Sequence, residues 1–202
     1  MKKKVTITDQ SLIQDILDDT EYGTLALCAN NKPYSIPINF VDVEGEIYFH
    51  GSKKGKKMNL IKENAQASFS VVESFSLALI PSYFSTGDGN GAPSTQLFKS
   101  VVIDGKIEVV EDYDEKANAL EFLLQKLQKE GKYTPLSNDM YKKIINAVGV
   151  YKLIPDEISG KCYFGQNFNQ ERYERVSEHL IERGTPKDLA TLELMKEYRK
   201  NS

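Results

Sequence analysis

The chain has 202 residues, of which 40% are hydrophobic and 27% are charged, a composition typical of a globular protein. It carries 26 lysines and arginines against 29 acidic residues, so its formal net charge is −3. This balance argues against a nucleic-acid-binding protein, because such proteins carry a basic domain. The longest apolar segment, near residues 75–80, is too short to span a bilayer. The two cysteines have neither the spacing of metal ligands nor that of a disulfide framework. We therefore expect a cytoplasmic protein that has no metal site and does not bind a membrane.

The N-terminal part of the chain predicts one helix and one strand. Asp9 precedes apolar residues at helical spacing up to about residue 20, a pattern typical of a capped amphipathic helix. Residues 24–29 are apolar enough for a strand that is buried on both faces. Cys28, in this strand, would then be a small core residue.

A hairpin turn leads from this strand into one that contains a proline. Asn31, in the turn Asn30–Lys32, tolerates the positive φ that a tight hairpin requires. The next strand is predicted over residues 33–41 and includes Pro37. Proline cannot donate a ladder hydrogen bond, so Pro37 indicates an edge strand or a bulge.

The stretch Ile47–Lys57 combines the end of a strand, a cationic loop and the start of a helix. After His50 it contains two glycines, one serine and four lysines. Backbone N–H groups at a helix start, a hydroxyl and several ammonium groups around one small volume suit a phosphate. The alternative is a solvated lysine loop, since runs of charge usually face water. A helix over 56–63 and a strand over 67–72 extend the pattern to a small antiparallel barrel.

The middle of the chain predicts a loop and a second hairpin. Residues 85–95 contain three glycines and almost no apolar side chain, which is typical of a flexible loop or a lid. Asp104-Gly105 lies between alternating apolar runs and predicts a hairpin of strands over 97–103 and 106–110.

Helices dominate the C-terminal half. Apolar residues at helical spacing predict a helix over 114–129, and Asn138 caps a shorter one. A last strand is predicted over 148–154. Two amphipathic helices separated by Gly184–Pro186 are predicted after Asn169.

Several short segments follow one another in a characteristic order along residues 8–162. They are Gly23–Ala26, Pro33–Phe40, Gly45–Ser52, Lys56–Lys57, Ser100–Lys106 and Ile158–Lys161. Together they resemble the FMN-binding split-barrel proteins related to pyridoxamine 5′-phosphate oxidase, and within them the branch similar to nitroimidazole-resistance proteins. These motifs are loose individually and specific in combination.

The resemblance implies an α+β, mainly β fold. Its core would be an antiparallel split β-barrel with flanking helices over residues 1–165, followed by a helical C-terminal extension over 166–202. It also implies a homodimer with FMN at the subunit interface. The phosphate would be held by Ser52, Lys56 and Lys57, and the flavin ring would lie along residues 36–39. The implied cofactor-binding residues are Ile36, Pro37, Ile38, Asn39, Phe49, His50, Gly51, Ser52, Lys56, Lys57, Lys99 and Ser100.

The implied activity is that of a flavin-dependent oxidoreductase acting on a small molecule. His50 would be the catalytic residue, as a flavin neighbour or proton donor; the alternative is a barrel-rim histidine with a backbone partner. The oxidase itself reads its pyridoxal substrate with an Arg-x-His segment, but here no histidine follows Arg172 or Arg175 at that spacing. This departure argues against vitamin B6 oxidation. A non-catalytic flavin-binding or flavin-storing protein and a haem-binding split barrel remain the alternatives.

Overall fold

The computed structural model describes residues 5–77 and 95–200 of the chain. Within them the strands are β1 (Thr6–Ile7), β2 (Tyr22–Ala29), β3 (Lys32–Asn39), β4 (Val41–Val43), β5 (Glu46–Gly51), β6 (Gln66–Leu77), β7 (Gln96–Val110) and β8 (Gly149–Tyr163). The helices are α1 (Gln10–Asp19), α2 (Lys56–Glu63), α3 (Tyr113–Leu127), α4 (Lys142–Ala147), α5 (Gln170–Arg183) and α6 (Pro186–Lys200), with a 3₁₀ turn at Asp139–Tyr141 before α4. Apart from Thr95, the predicted loop or lid over 85–95 lies outside the described residues.

The eight described strands form one sheet. Their order is β3-β2-β6-β7-β8-β5-β4, and β1 pairs with β8. The pairs β2–β3, β2–β6, β4–β5, β5–β8 and β1–β8 are antiparallel. The predicted α+β, mainly β class with antiparallel strands, flanking helices and a helical C-terminal segment is therefore confirmed. β3, which contains Pro37, lies at one end of the order, as expected for a strand whose proline cannot donate to a ladder.

The chain divides into two compact units, each assembled from separate stretches of sequence. The larger unit comprises Asp9–Val71 and Val101–Ser159. The described part of the smaller unit comprises residues 5–8, 72–77, 95–100 and 160–200. The domain boundary predicted at residue 165 stays a prediction.

The strand β2 in the larger unit has one buried and one open face, so the prediction of burial on both faces is wrong. Its residues alternate, with Leu25 and Leu27 buried and Thr24 and Cys28 exposed. Antiparallel sheets commonly keep one face in solvent, which accounts for the alternation. Cys28 is consequently an exposed residue and does not fill the core.

The second predicted hairpin is also wrong, because β7 runs without a turn through Asp104-Gly105. Gly105 is buried, and a Cβ atom at this position would lie 2.1 Å from the carbonyl oxygen of Ile154 in β8. Glycine is therefore needed here for the close approach of two backbones rather than for a turn. The last strand is longer than predicted as well, since β8 continues past Pro155 to Tyr163.

The helix predictions hold, with shifts of a few residues at some ends. α1 begins after Asp9, whose carboxylate accepts a hydrogen bond from the Ser11 backbone N–H. α2 has the predicted bounds, and α5 and α6 follow Asn169. α3 packs its apolar face on β4, β5, β7 and β8 through a cluster of buried residues that comprises Val41, Tyr48, Val110, Ala119, Leu123 and Val150. In residues 5–77 and 95–200, no helix has the length and hydropathy to cross a membrane.

Candidate functional site

The loop between β5 and α2 is the candidate anion-binding site, and Ser52–Lys57 is called the lysine loop below. Gly55 is the N-cap residue of α2, with φ at 105°. No described side chain caps this helix start, and a Cβ atom at Gly55 would have no neighbour within 4 Å. The first backbone N–H groups of a helix lack intrahelical partners and carry partial positive charge. The start of α2 thus offers open, uncapped donors to an anion.

Lys57 brings a partly desolvated ammonium group to this loop. Its Nζ lies 4.3 Å from the ring centroid of Tyr151 and 5.3 Å from that of Phe49. Burial lowers the pKa of Lys57, because it disfavours the charged form. In the part of the chain that the structure describes, Lys57 forms no ion pair with a carboxylate. A half-buried cation without a counter-ion is costly, and a bound anion would offset that cost.

Two other predicted phosphate ligands lie in the same loop. The Ser52 hydroxyl oxygen accepts a hydrogen bond from the Lys54 backbone N–H at 3.1 Å. Lys56 is exposed, and its Nζ lies 4.3 Å above the ring of Tyr34. Both side chains are therefore within the loop and accessible from solvent. Ser52, Lys56 and Lys57 all lie in the lysine loop, while their function as phosphate ligands stays a prediction.

His50 lies at the end of β5, immediately before the lysine loop. It pairs with Val150 of β8 and is exposed. Partial burial of the imidazole is the main cause that lowers the pKa of His50, and the positive charge of Lys57 lowers it further. The ring is therefore mainly neutral at pH 7, with one nitrogen donating a hydrogen bond and the other able to accept a proton. Such a group can accept a proton from a nearby reaction, but its catalytic role stays a prediction.

The predicted flavin-ring segment, residues 36–39, forms the C-terminal half of the edge strand β3. Ile36 and Ile38 are partly buried on one face, while Pro37 is exposed on the other. Pro37 pairs with Thr24 of β2, which is also exposed. The Asn39 amide donates a hydrogen bond to the Glu21 carbonyl oxygen at 3.1 Å, so that part of its polar capacity is already used.

Lys99 and Ser100 belong to the smaller unit, whereas the other predicted site residues belong to the larger one. The Lys99 ammonium lies 3.7 Å from a carboxylate oxygen of Glu73 and 5.4 Å from the ring centroid of Phe75. In contrast to Lys57, Lys99 already has a counter-ion. The role of Lys99 and Ser100 as flavin contacts stays a prediction.

Sequence reasoning missed the residues that support the lysine loop from β8 and α4. The Tyr151 hydroxyl donates a hydrogen bond to the Ser52 carbonyl oxygen at 2.9 Å. The Lys53 ammonium donates to the Asn146 carbonyl oxygen, at the end of α4, at 2.6 Å. The one local signal was Gly149, two residues before Tyr151, because a glycine inside a strand often marks a close approach. Nothing local indicated what approaches it.

The fold and the loop together define a split-barrel protein, and comparisons with known proteins name its family. A model of the pyridoxamine 5′-phosphate oxidase family matches residues 9–162, more than half of the chain. The chain therefore belongs to the pyridoxamine 5′-phosphate oxidase family, and the family inferred from the sequence is confirmed. A comparison with curated proteins found no match.

Solved structures with the same fold include three split-barrel proteins. The FAD and haem binding protein from Mycobacterium smegmatis is 23% identical with a TM-score of 0.65, over 89% of this chain and 80% of that one. The flavocytochrome Anf3 from Azotobacter vinelandii is 22% identical with a TM-score of 0.64, over 84% and 75%. A proposed 5-nitroimidazole antibiotic resistance protein from Bacteroides thetaiotaomicron is 21% identical with a TM-score of 0.62, over 78% and 86%. At these identities the likeness establishes the fold.

Proposed function

We propose that the protein binds FMN, with the phosphate of the cofactor in the lysine loop, and acts as an oxidoreductase on a small molecule. The observation that carries this proposal is Lys57, a half-buried ammonium without a carboxylate partner in the described residues. It lies in the same loop as the uncapped start of α2. A phosphate group fits this donor set, because it supplies the missing negative charge and accepts bonds from helix N–H groups.

The remaining predicted residues would bind other parts of the cofactor. Residues 36–39 would lie along the flavin ring, and Lys99 and Ser100 would contact it from a partner subunit of a homodimer. When bound, the flavin supplies the electron-transfer chemistry that no amino-acid side chain provides. His50, as a largely neutral imidazole next to the loop, would accept a proton in the reaction.

The family and the structural neighbours support the binding of a flavin. The names of two neighbours mention other cofactors than FMN. One is a flavocytochrome and one binds FAD and haem, according to their names. FMN and FAD share a phosphate on the ribityl chain, which is the group that the lysine loop would bind. We choose FMN because the sequence segments around the lysine loop resemble those of FMN-binding split-barrel proteins.

An absorption spectrum of the purified protein is the direct test, followed by titrations with FMN, FAD and riboflavin. We expect a yellow protein with flavin absorption bands and the tightest binding for FMN. Bleaching by NAD(P)H, with reoxidation by an added small-molecule acceptor, would support the oxidoreductase activity. A flavin that no physiological donor reduces would indicate a storage protein. A Soret band without flavin bands, or equal affinity for FMN and riboflavin, would contradict the proposal.

A further inference from the structure

Tyr151 is a buried side chain whose position is set by the sheet. It is 0% exposed and faces Phe49 across the antiparallel pair of β8 and β5. The two rings stack with centroids 5.4 Å apart and an interplanar angle of 29°. A tyrosine packed in this way has little rotational freedom, so its hydroxyl is held at a fixed point. That point lies at the end of β5, where the lysine loop begins.

The hydroxyl of Tyr151 holds the first residue of the loop. It donates a hydrogen bond to the Ser52 carbonyl oxygen at 2.9 Å. Burial, and secondarily the charge of Glu111, raise the pKa of Tyr151 above its ordinary value. The hydroxyl therefore remains protonated and remains a donor throughout the physiological pH range. The Ser52 hydroxyl in turn accepts a hydrogen bond from the Lys54 backbone N–H, so the part-buried bond from Tyr151 fixes the start of the turn.

The ring of Tyr151 holds the ammonium group at the other end of the loop. The Lys57 Nζ lies 4.3 Å from the ring centroid, within the range of a cation–π attraction. The ammonium also lies close to the backbone of Gly51, since a Cβ atom at Gly51 would come within 2.7 Å of the Lys57 Nζ. The ring and Gly51 therefore confine the ammonium to a narrow space.

A pair of glycines makes room for this arrangement. Gly51 and Gly149 face each other across β5 and β8. A Cβ atom at Gly149 would lie 2.3 Å from the Tyr151 hydroxyl oxygen and 2.9 Å from the Gly51 carbonyl oxygen. Any larger residue at Gly149 would displace the hydroxyl from its place beside Ser52.

We propose that Tyr151 is the positioning residue of the lysine loop, because its hydroxyl and its ring together set the spacing between Ser52 and Lys57 at which the loop binds a phosphate group. This role rests on the phosphate binding proposed for the loop. One residue of β8, far from the loop in sequence, would then set the shape of the anion site.

The variant Tyr151→Phe removes the hydroxyl and keeps the ring over Lys57. Tyr48→Phe is the matched control, because Tyr48 is a buried tyrosine of β5 whose hydroxyl bonds Glu46 and Glu115, away from the loop. Two quantities are measured in each variant: the dissociation constants of FMN and riboflavin, and amide hydrogen exchange of residues 52–57 without ligand. Thermal unfolding verifies that each variant is folded.

In Tyr151→Phe we expect FMN affinity to fall about 5- to 10-fold, as loss of one positioning hydrogen bond predicts, with riboflavin affinity within about twofold of wild type. Exchange of the loop amides should accelerate in ligand-free Tyr151→Phe and remain unchanged in Tyr48→Phe.

Three contrary results are distinguishable. If wild type prefers FMN to riboflavin and Tyr151→Phe retains both the preference and the slow exchange, Tyr151 has no positioning role. If wild type binds FMN and riboflavin equally, the phosphate site itself is wrong, and the role of Tyr151 in phosphate binding falls with it. An equal loss of FMN affinity in Tyr48→Phe would also overturn the assignment, because it would reflect general destabilisation.

Discussion

At the scale of single residues, the lysines of the lysine loop differ in what surrounds them. Lys53 bonds the carbonyl oxygen of Asn146, and Lys56 lies exposed over Tyr34. Lys57 is the partly desolvated one, with its pKa lowered by burial. Three of the four lysines thus differ in role: Lys53 anchors the loop, Lys56 is a surface cation, and Lys57 is placed to pair with an anion.

The variant Lys57→Met is expected to weaken FMN binding about 10- to 100-fold, because a charge-assisted hydrogen bond contributes about 1.5–3 kcal/mol. Riboflavin, which lacks the phosphate, should bind almost unchanged. The melting temperature of the ligand-free protein should not fall, since the change removes a desolvated charge and keeps most of the apolar stem. Fluorescence titration and thermal unfolding measure these effects. Lys54→Met is the control in the same loop. A comparable loss of FMN affinity in Lys54→Met would show that the net positive charge of the loop, and not the position of Lys57, determines binding.

The same variant should change the titration of His50. The positive charge of Lys57 disfavours the imidazolium form, so its removal should raise the pKa of His50. The pKa should nevertheless stay below 6.5, the ordinary value for histidine, because burial is the larger cause of the shift. NMR titration of the imidazole C–H signals in wild type, Lys57→Met and Lys54→Met measures this. An unchanged His50 pKa in Lys57→Met would show that the two groups do not interact.

At the scale of secondary-structure elements, the smaller unit depends on a buried carboxylate at the start of α6. Asp188 is 1% exposed and accepts hydrogen bonds from Ser76 of β6, from Arg183 at the end of α5 and from Thr185. These donors hold the pKa of Asp188 far below its ordinary value, and the Arg183 contact is the largest cause. One side chain therefore joins β6, α5 and α6.

We expect Asp188→Asn to lower the free energy of unfolding by about 2–4 kcal/mol, because it breaks a buried ion pair and leaves Arg183 without its partner. The stabilisation that Asp188 provides in the wild type depends on pH. A folded-state pKa below the unfolded-state value means that the stabilisation is present above about pH 4 and is lost as the pH falls through the folded-state value. Urea unfolding at pH 7 and pH 3 tests this. The difference between wild type and Asp188→Asn should shrink at the lower pH, and a constant difference would contradict the ion-pair explanation.

At the scale of the whole molecule, the proposed homodimer with FMN at its interface predicts that cofactor and assembly are linked. A ligand that touches both subunits favours the associated state by mass action. Sedimentation at graded dilution should therefore show dimer dissociation at lower protein concentration when FMN is present than when it is absent. Riboflavin is the control ligand. A monomer that binds FMN with full affinity would rule out the interface site.

The sequence by itself determined those features that depend on residues close together in the chain. α2 has the predicted bounds, and Asn30 and Asn31 adopt the positive φ expected of the turn, at 50° and 58°. The lysine loop was also predictable, because a strand end, a glycine and a helix start need only local conformational preferences. The order of these segments was sufficient to identify the family.

Tertiary structure alone decided what each residue faces. Asp104-Gly105 has the local chemistry of a turn, yet Gly105 instead permits contact with the backbone at Ile154. Cys28 lies in an apolar run and nonetheless points to the open face of the sheet. The bond from Tyr151 to Ser52 joins positions 99 residues apart. Such pairings arise from strand register and the packing of distant segments, and local preferences carry almost no information about either.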